Sequence, residues 1–229
     1  MKSNLFLFSI LSVAMIALIA SCQIDNYDAP NATVTGQVID NATGKPIITE
    51  PYGFRIKMYE TSWSDNPTPR YIAGKVDGTF NDNSYFEGTY VSTAVDGAFV
   101  VSDPQTIQVK SKNSTTVNFN VNPFIRFDNV SIVKDGSTVK AVFTLTKFVA
   151  TARPIDYAVI ANAKTPYFGM SDNQVSSGRI TLTEADFGVS KEIVLSGFTA
   201  GKTYHVRIAA YCENATGRYN YTDVVKIQM

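Results

Sequence analysis

Few side chains in this 229-residue chain are equipped for chemistry. His205 is the single histidine, which excludes a histidine cluster for a metal. A Ser-His-Asp triad would have to use it, yet it sits in strand-like sequence with no nucleophile elbow. Cys22 and Cys212 are the only thiols, too few for a disulfide framework or a cysteine-rich metal site. There is no phosphate loop or dinucleotide fingerprint. The paired carboxylates of a glycosidase stand ~5–10 Å apart, a separation that the fold sets and spacing does not reveal; the acids here fall mostly at turns. No catalytic residue, metal or cofactor is therefore expected. Oxygen-rich Asp77-Gly78-Thr79-Phe80-Asn81-Asp82-Asn83 lacks the EF-hand order and reads as a turn rather than a calcium loop.

Cys22 has the most telling surroundings. A short head, Met1-Lys2-Ser3-Asn4, precedes an apolar or small-residue run from Leu5 to Ala20, closed by Ser21-Cys22. This is the order of a secretory signal peptide, and the run is shorter than the ~20 residues of a bilayer span. Ile19-Ala20-Ser21-Cys22 resembles the bacterial lipobox, in which the thiol takes a lipid thioether and small residues admit the peptidase. Residues 1–21 would be the signal peptide and 22–31 a lipidated tether, with the membrane as the partner of Cys22. Asp25 and Asp28 loosely resemble the acids that send some lipoproteins to the outer face of the outer membrane. The formal net charge is zero, which argues against nucleic acid as a partner.

Sugar recognition asks for different residues: exposed rings that stack on C–H faces, beside amides and carboxylates that meet hydroxyls. Trp63, the only tryptophan, lies in Thr61-Ser62-Trp63-Ser64-Asp65-Asn66-Pro67-Thr68-Pro69-Arg70, too polar and proline-rich for a central strand. Trp63, Asp65, Asn66 and Arg70 are candidate glycan contacts. Tyr219 and Tyr221 form a second candidate group, and Tyr167-Phe168 a third aromatic loop. The competing reading is that each ring covers its own domain's core edge.

The elements that must position these residues read as all-β. Val34, Gly36 and Val38 alternate with polar neighbours, as do Phe54, Ile56 and Met58, and Val117, Phe119 and Val121. Thr43-Gly44, Asp77-Gly78, Asp96-Gly97 and Asp135-Gly136 punctuate the runs as turns. Glu184-Ala185-Asp186-Phe187 is the one short helical turn expected, capped by Thr183. Many short strands between frequent turns predict two tandem β-sandwiches.

Gly36-Gln37-Val38-Ile39-Asp40-Asn41-Ala42-Thr43-Gly44-Lys45-Pro46-Ile47, followed by Asp77-Gly78-Thr79-Phe80 and Phe86-Glu87-Gly88-Thr89-Tyr90, resembles the transthyretin-like, carboxypeptidase-regulatory sandwich over residues 32–122. Here Asp40 is suited to accept turn N–H groups and Gly44 to take positive φ. Leu195-Ser196-Gly197-Phe198-Thr199-Ala200-Gly201-Lys202-Thr203-Tyr204-His205-Val206 is similar to the E–F corner of fibronectin type III domains, over residues 123–229. Tyr204 would be the corner tyrosine, with Ala200 where that family usually has proline. Val206, Ile208, Ala210 and Cys212 would then face inward, and His205, Arg207 and Tyr211 outward.

Lipobox, Asp25-Asn26-Tyr27-Asp28 tether and two sandwiches together resemble a two-domain bacterial lipoprotein family of unknown function, associated with starch-utilisation-like glycan-import systems. That resemblance implies a non-catalytic surface protein accessory to polysaccharide capture. A structural or assembly partner of the porin and lipoprotein import complex, or an adhesin-like spacer, is the alternative.

Overall fold

The computed structural model describes residues 28–229, so Cys22, Asp25 and the signal segment lie outside the described residues. The chain is all-β. The first nine strands are β1 (Ala32–Asp40), β2 (Arg55–Glu60), β3 (Arg70–Ala73), β4 (Thr79–Tyr85) and β5 (Gly88–Val95), then β6 (Phe99–Val100), β7 (Gln105–Val109), β8 (Ser114–Thr116) and β9 (Phe119–Pro123). They make two sheets, β4-β1-β9-β6 with β8 also on β1, and β3-β2-β5-β7. Alternation along β1 sends Ala32, Val34 and Val38 inward, where they meet Phe54, Ile56 and Met58 of the facing sheet's side. Gly36 has no substitute here. A Cβ at that position would lie 1.7 Å from the Val117 carbonyl oxygen, so the two backbones approach only because the side chain is missing.

The β1 turn forms as its residues ask. Asp40 accepts the Ala42 N–H at 2.9 Å, and Gly44 takes φ 67°. The Asp77 carboxylate closes its turn on Thr79, and within β4 that of Asp82 accepts from Ser84.

The remaining strands are β10 (Ile125–Asp135), β11 (Thr138–Lys147), β12 (Pro154–Asn162), β13 (Val175–Ser176) and β14 (Ile180–Thr181), then β15 (Ser190–Leu195), β16 (Thr203–Cys212), β17 (Asn220–Tyr221) and β18 (Val225–Gln228). Sheet β10-β11-β15 faces sheet β13-β12-β16-β17, in which β14 also pairs with β12 and β18 with β16. Val206, Ile208, Ala210 and Cys212 of β16 pack inward against Val139, Phe143 and Leu145. Burial pushes the Cys212 thiol up to about 11, leaving it an inert apolar group. The Tyr204 hydroxyl accepts the Thr199 N–H at 3.2 Å, five residues upstream, and Phe198 packs edge-on against its ring. The corner forms without the proline. The one 3-10 turn among the described residues, Glu184–Asp186, is closed by the Asp186 carboxylate accepting the Thr183 N–H.

One expectation fails at β16. Arg207 does point away from its own core, yet it is 1% exposed. The reason is that the outer face of β12 and β16 is not a solvent face. A second apolar cluster lies on it, formed by Ala158, Ile160, Phe168, Ala209, Tyr219 and Tyr221, with Ile48 of the N-terminal sandwich packed against them. The continuous run Tyr157-Ala158-Val159-Ile160-Ala161 is the sequence mark of a strand buried on both faces.

Candidate functional site

Trp63 occupies the connection between β2 and β3, and its ring is 74% exposed. The base of that connection is fixed to β5. The Thr61 N–H donates to the Thr89 carbonyl at 2.8 Å, the Thr89 N–H donates to Ser62 Oγ at 2.6 Å, and the Ser62 N–H donates to the Glu60 carboxylate at 2.7 Å. Asn66 N–H is held by Ser64 Oγ, and Pro67 and Pro69 stiffen the return. Asp65 and Asn66, two and three residues further on, are exposed as well. The loop therefore offers one large apolar face with a carboxylate and an amide close to it in sequence, on a base that needs little ordering before it binds.

Arg70 has a different assignment. Its guanidinium donates to the Ser84 carbonyl at 2.7 Å and to Ser84 Oγ at 3.1 Å, and it stacks 4.5 Å from the centre of the Tyr85 ring. Those contacts tie edge strand β3 to β4 across the mouth of the sandwich. Arg70 shapes the loop's return rather than serving as a free donor.

Tyr219 and Tyr221 are not a sugar platform. They are 6% and 5% exposed, because both rings belong to the apolar cluster on the outer face of β12 and β16. The Tyr221 hydroxyl donates to the Glu50 carboxylate at 2.9 Å and accepts the Met170 N–H at 3.1 Å. Tyr219 stacks on Tyr211 at 4.9 Å. Burial pushes both phenols well above their ordinary range, so they remain neutral.

Arg207 is the centre of the seam between the sandwiches. Its guanidinium donates to the Thr49 carbonyl of the N-terminal sandwich at 2.9 Å and to the Phe168 carbonyl of its own, and lies 3.8 Å from the centre of the Tyr221 ring. Burial draws its pKa down to about 10, which still leaves the cation intact at neutral pH. Glu50 also accepts from Arg218 at 2.8 Å. A second bridge joins Arg126 to Asp40, the guanidinium Nε and Nη2 each donating to one carboxylate oxygen. Burial raises the Asp40 carboxyl, but the Arg126 and Ala42 donors outweigh it and hold the pKa below the ordinary value. Asn220 completes the joint, accepting the Ile125 N–H at 3.0 Å and donating to the Ala98 carbonyl at 2.9 Å.

Beside this seam a cleft of about 630 Å³ opens between the domains, lined by Asp40, Lys45, Ile47, Arg126, Phe127 and Tyr221 among others. Among the described residues no group of three or more His, Cys, Asp or Glu side chains is gathered as a metal site.

Residues 32–122 match the family model described as protein of unknown function (DUF3823) N-terminal domain. No curated protein matches the chain. Among solved structures, a DUF3823 family protein of Bacteroides uniformis is 21% identical, with a TM-score of 0.75, and the match covers 87% of this chain and 100% of that one. One from Parabacteroides merdae is 23% identical, with a TM-score of 0.71 over 88% of this chain and 100% of that one. A candidate carbohydrate binding protein of Bacteroides uniformis is 23% identical, with a TM-score of 0.69 over 87% and 100%. Residues 32–122 thus match the DUF3823 N-terminal domain model, and the described chain shares its fold with solved DUF3823 proteins.

Proposed function

We propose that this protein is a non-catalytic lipoprotein, anchored in the outer membrane through Cys22 and facing the cell exterior, which contacts polysaccharide as an accessory to its capture and import. The observation that carries the reading is the Trp63 ring, 74% exposed on a connection whose base is pinned to β5. Exposing the only tryptophan keeps a large apolar face in water, and a sugar's C–H face is the surface that fits a single flat ring bordered by polar groups. The similarity to a candidate carbohydrate binding protein of Bacteroides uniformis supports it. Affinity electrophoresis of the full chain through a panel of soluble polysaccharides tests it. The expected result is retardation by at least one polymer that Trp63→Ala abolishes without lowering the melting temperature. Retardation unchanged in Trp63→Ala would move the site elsewhere. The anchor has its own test: the intact mass of membrane-extracted protein should carry acyl chains on Cys22.

A second reading has an observation of its own. The sandwiches are joined with only Phe124 between β9 and β10, and Arg207, Glu50 and Asn220 bridge them. Two domains so bridged suit a structural partner of an import complex or an adhesin-like spacer. No retardation by any polysaccharide would favour it.

A further inference from the structure

Two tyrosines that line neither core stand at the domain seam, Tyr52 at 70% exposure and Tyr167 at 63%. They come from different sandwiches, Tyr52 from the β1–β2 connection and Tyr167 from the β12–β13 connection. Those connections touch. The Arg207 guanidinium holds the Thr49 and Phe168 carbonyls together, and the Glu50 side chain lies against Gly169, where a Cβ would come within 2.2 Å of its carboxylate. Each exposed ring is two residues from that contact, at most ~7 Å along the backbone.

Both connections are built to display a ring. On one side Phe168 is fully buried, anchoring the segment, while its neighbour Tyr167 is turned outward. Asn162 Oδ1 accepts the Lys164 and Thr165 N–H groups, and Thr165 Oγ1 accepts that of Tyr167. On the other side the Gly53 N–H donates to the Glu50 carbonyl at 2.9 Å, a turn so tight that a Cβ on Gly53 would meet Thr49 Oγ1 at 1.8 Å. That turn holds Tyr52 at φ 57°, a conformation that a bulky residue adopts only where its surroundings impose it.

We infer that Tyr52 and Tyr167 form a second polysaccharide contact, one ring from each domain, with spacing fixed by the Arg207 seam. The inference rests on the reading of Trp63 as a sugar contact and extends it: one extended polymer chain meets the protein at two places. The neighbours favour sugar over a protein partner. The rings are flanked by Pro51, Lys164, Thr165, Ser171 and Asp172 rather than by further exposed apolar side chains, and a protein-binding centre requires a contiguous desolvated patch. Two contacts on one polymer would act together through effective concentration.

The test uses the full chain, affinity electrophoresis and calorimetry, and a panel of xylan, galactomannan, β-glucan, xyloglucan and pullulan. Tyr52→Asn removes one ring while keeping a residue that tolerates positive φ, and Tyr167→Ala removes the other. The double variant should keep its melting temperature and bind the retained polymer about tenfold more weakly, equivalent to about 1.4 kcal/mol. Equal affinity of double variant and wild type overturns the seam contact while leaving Trp63 in place. A wild type that binds no polymer in the panel overturns both. Loss of binding in the double variant with none in Trp63→Ala keeps the seam and removes Trp63.

Discussion

The Arg207 guanidinium, carried by β16, donates to the main-chain oxygen of Thr49 in the other sandwich at 2.9 Å. A buried cation thus joins two domains, alongside the Glu50, Asp40–Arg126 and Asn220 contacts. It is also the largest fully buried side chain in the described protein. Its position explains why the face of β16 opposite the core is apolar: a charge buried among Phe168 and Tyr221 is tolerated where ring faces and carbonyls replace water.

Removing that charge orphans two buried acceptors. Arg207→Met keeps most of the volume but leaves the Thr49 and Phe168 carbonyls without this donor, at a cost of about 1–3 kcal/mol each. Relief of the cation's desolvation offsets part of this, so a net loss of roughly 2–4 kcal/mol is expected. Calorimetry should then show the wild type's unfolding resolving into two transitions, one per sandwich. A single transition at the wild-type temperature would mean that Arg207 does not couple the domains.

Tyr204→Phe isolates the corner. The variant keeps the edge-on packing with Phe198 and removes only the acceptor of the Thr199 N–H. A lower denaturant midpoint with unchanged slope is the expected outcome, because the loss is one hydrogen bond and not a change in exposed surface. An unchanged midpoint would show that the ring's packing, rather than its hydroxyl, closes the corner.

The corner and the core were legible because period-two alternation reports which face of a strand meets its own domain's core. Val206, Ile208, Ala210 and Cys212 follow it without exception. The same rule misplaces Arg207, since alternation says nothing about what covers the opposite face. The warning is present in Ala158, Ile160 and Ala209, apolar residues at positions that should have been polar. Tyr219 and Tyr221 follow the same logic: aromatic residues near a chain's end read as an exposed edge until the other domain is placed over them. Trp63 lies exposed on a connection that is polar and proline-rich all along, a pattern that by itself leaves open whether the ring covers a core edge. The pair between Asp40 and Arg126 spans 86 residues, and no local pattern announces it.

That pair makes the seam sensitive to acid. The Asp40 carboxyl has a pKa below its ordinary 3.8 in the folded protein, so the unfolded chain binds the proton more readily. The stabilisation is therefore complete above about pH 4 and is lost as the pH falls through the folded value. Both partners are largely buried, at 15% and 11% exposure, so salt screens the pair only weakly. Asp40→Asn keeps an oxygen to accept the Ala42 N–H but removes the charge facing Arg126. The variant should be less stable than wild type at about pH 6, and the difference should narrow at a second pH below the carboxyl's folded value, where wild-type Asp40 takes up its proton. Chemical denaturation at the two pH values measures both. A difference that stays constant between them would mean that Asp40 stabilises the seam as a turn acceptor and not as a charge.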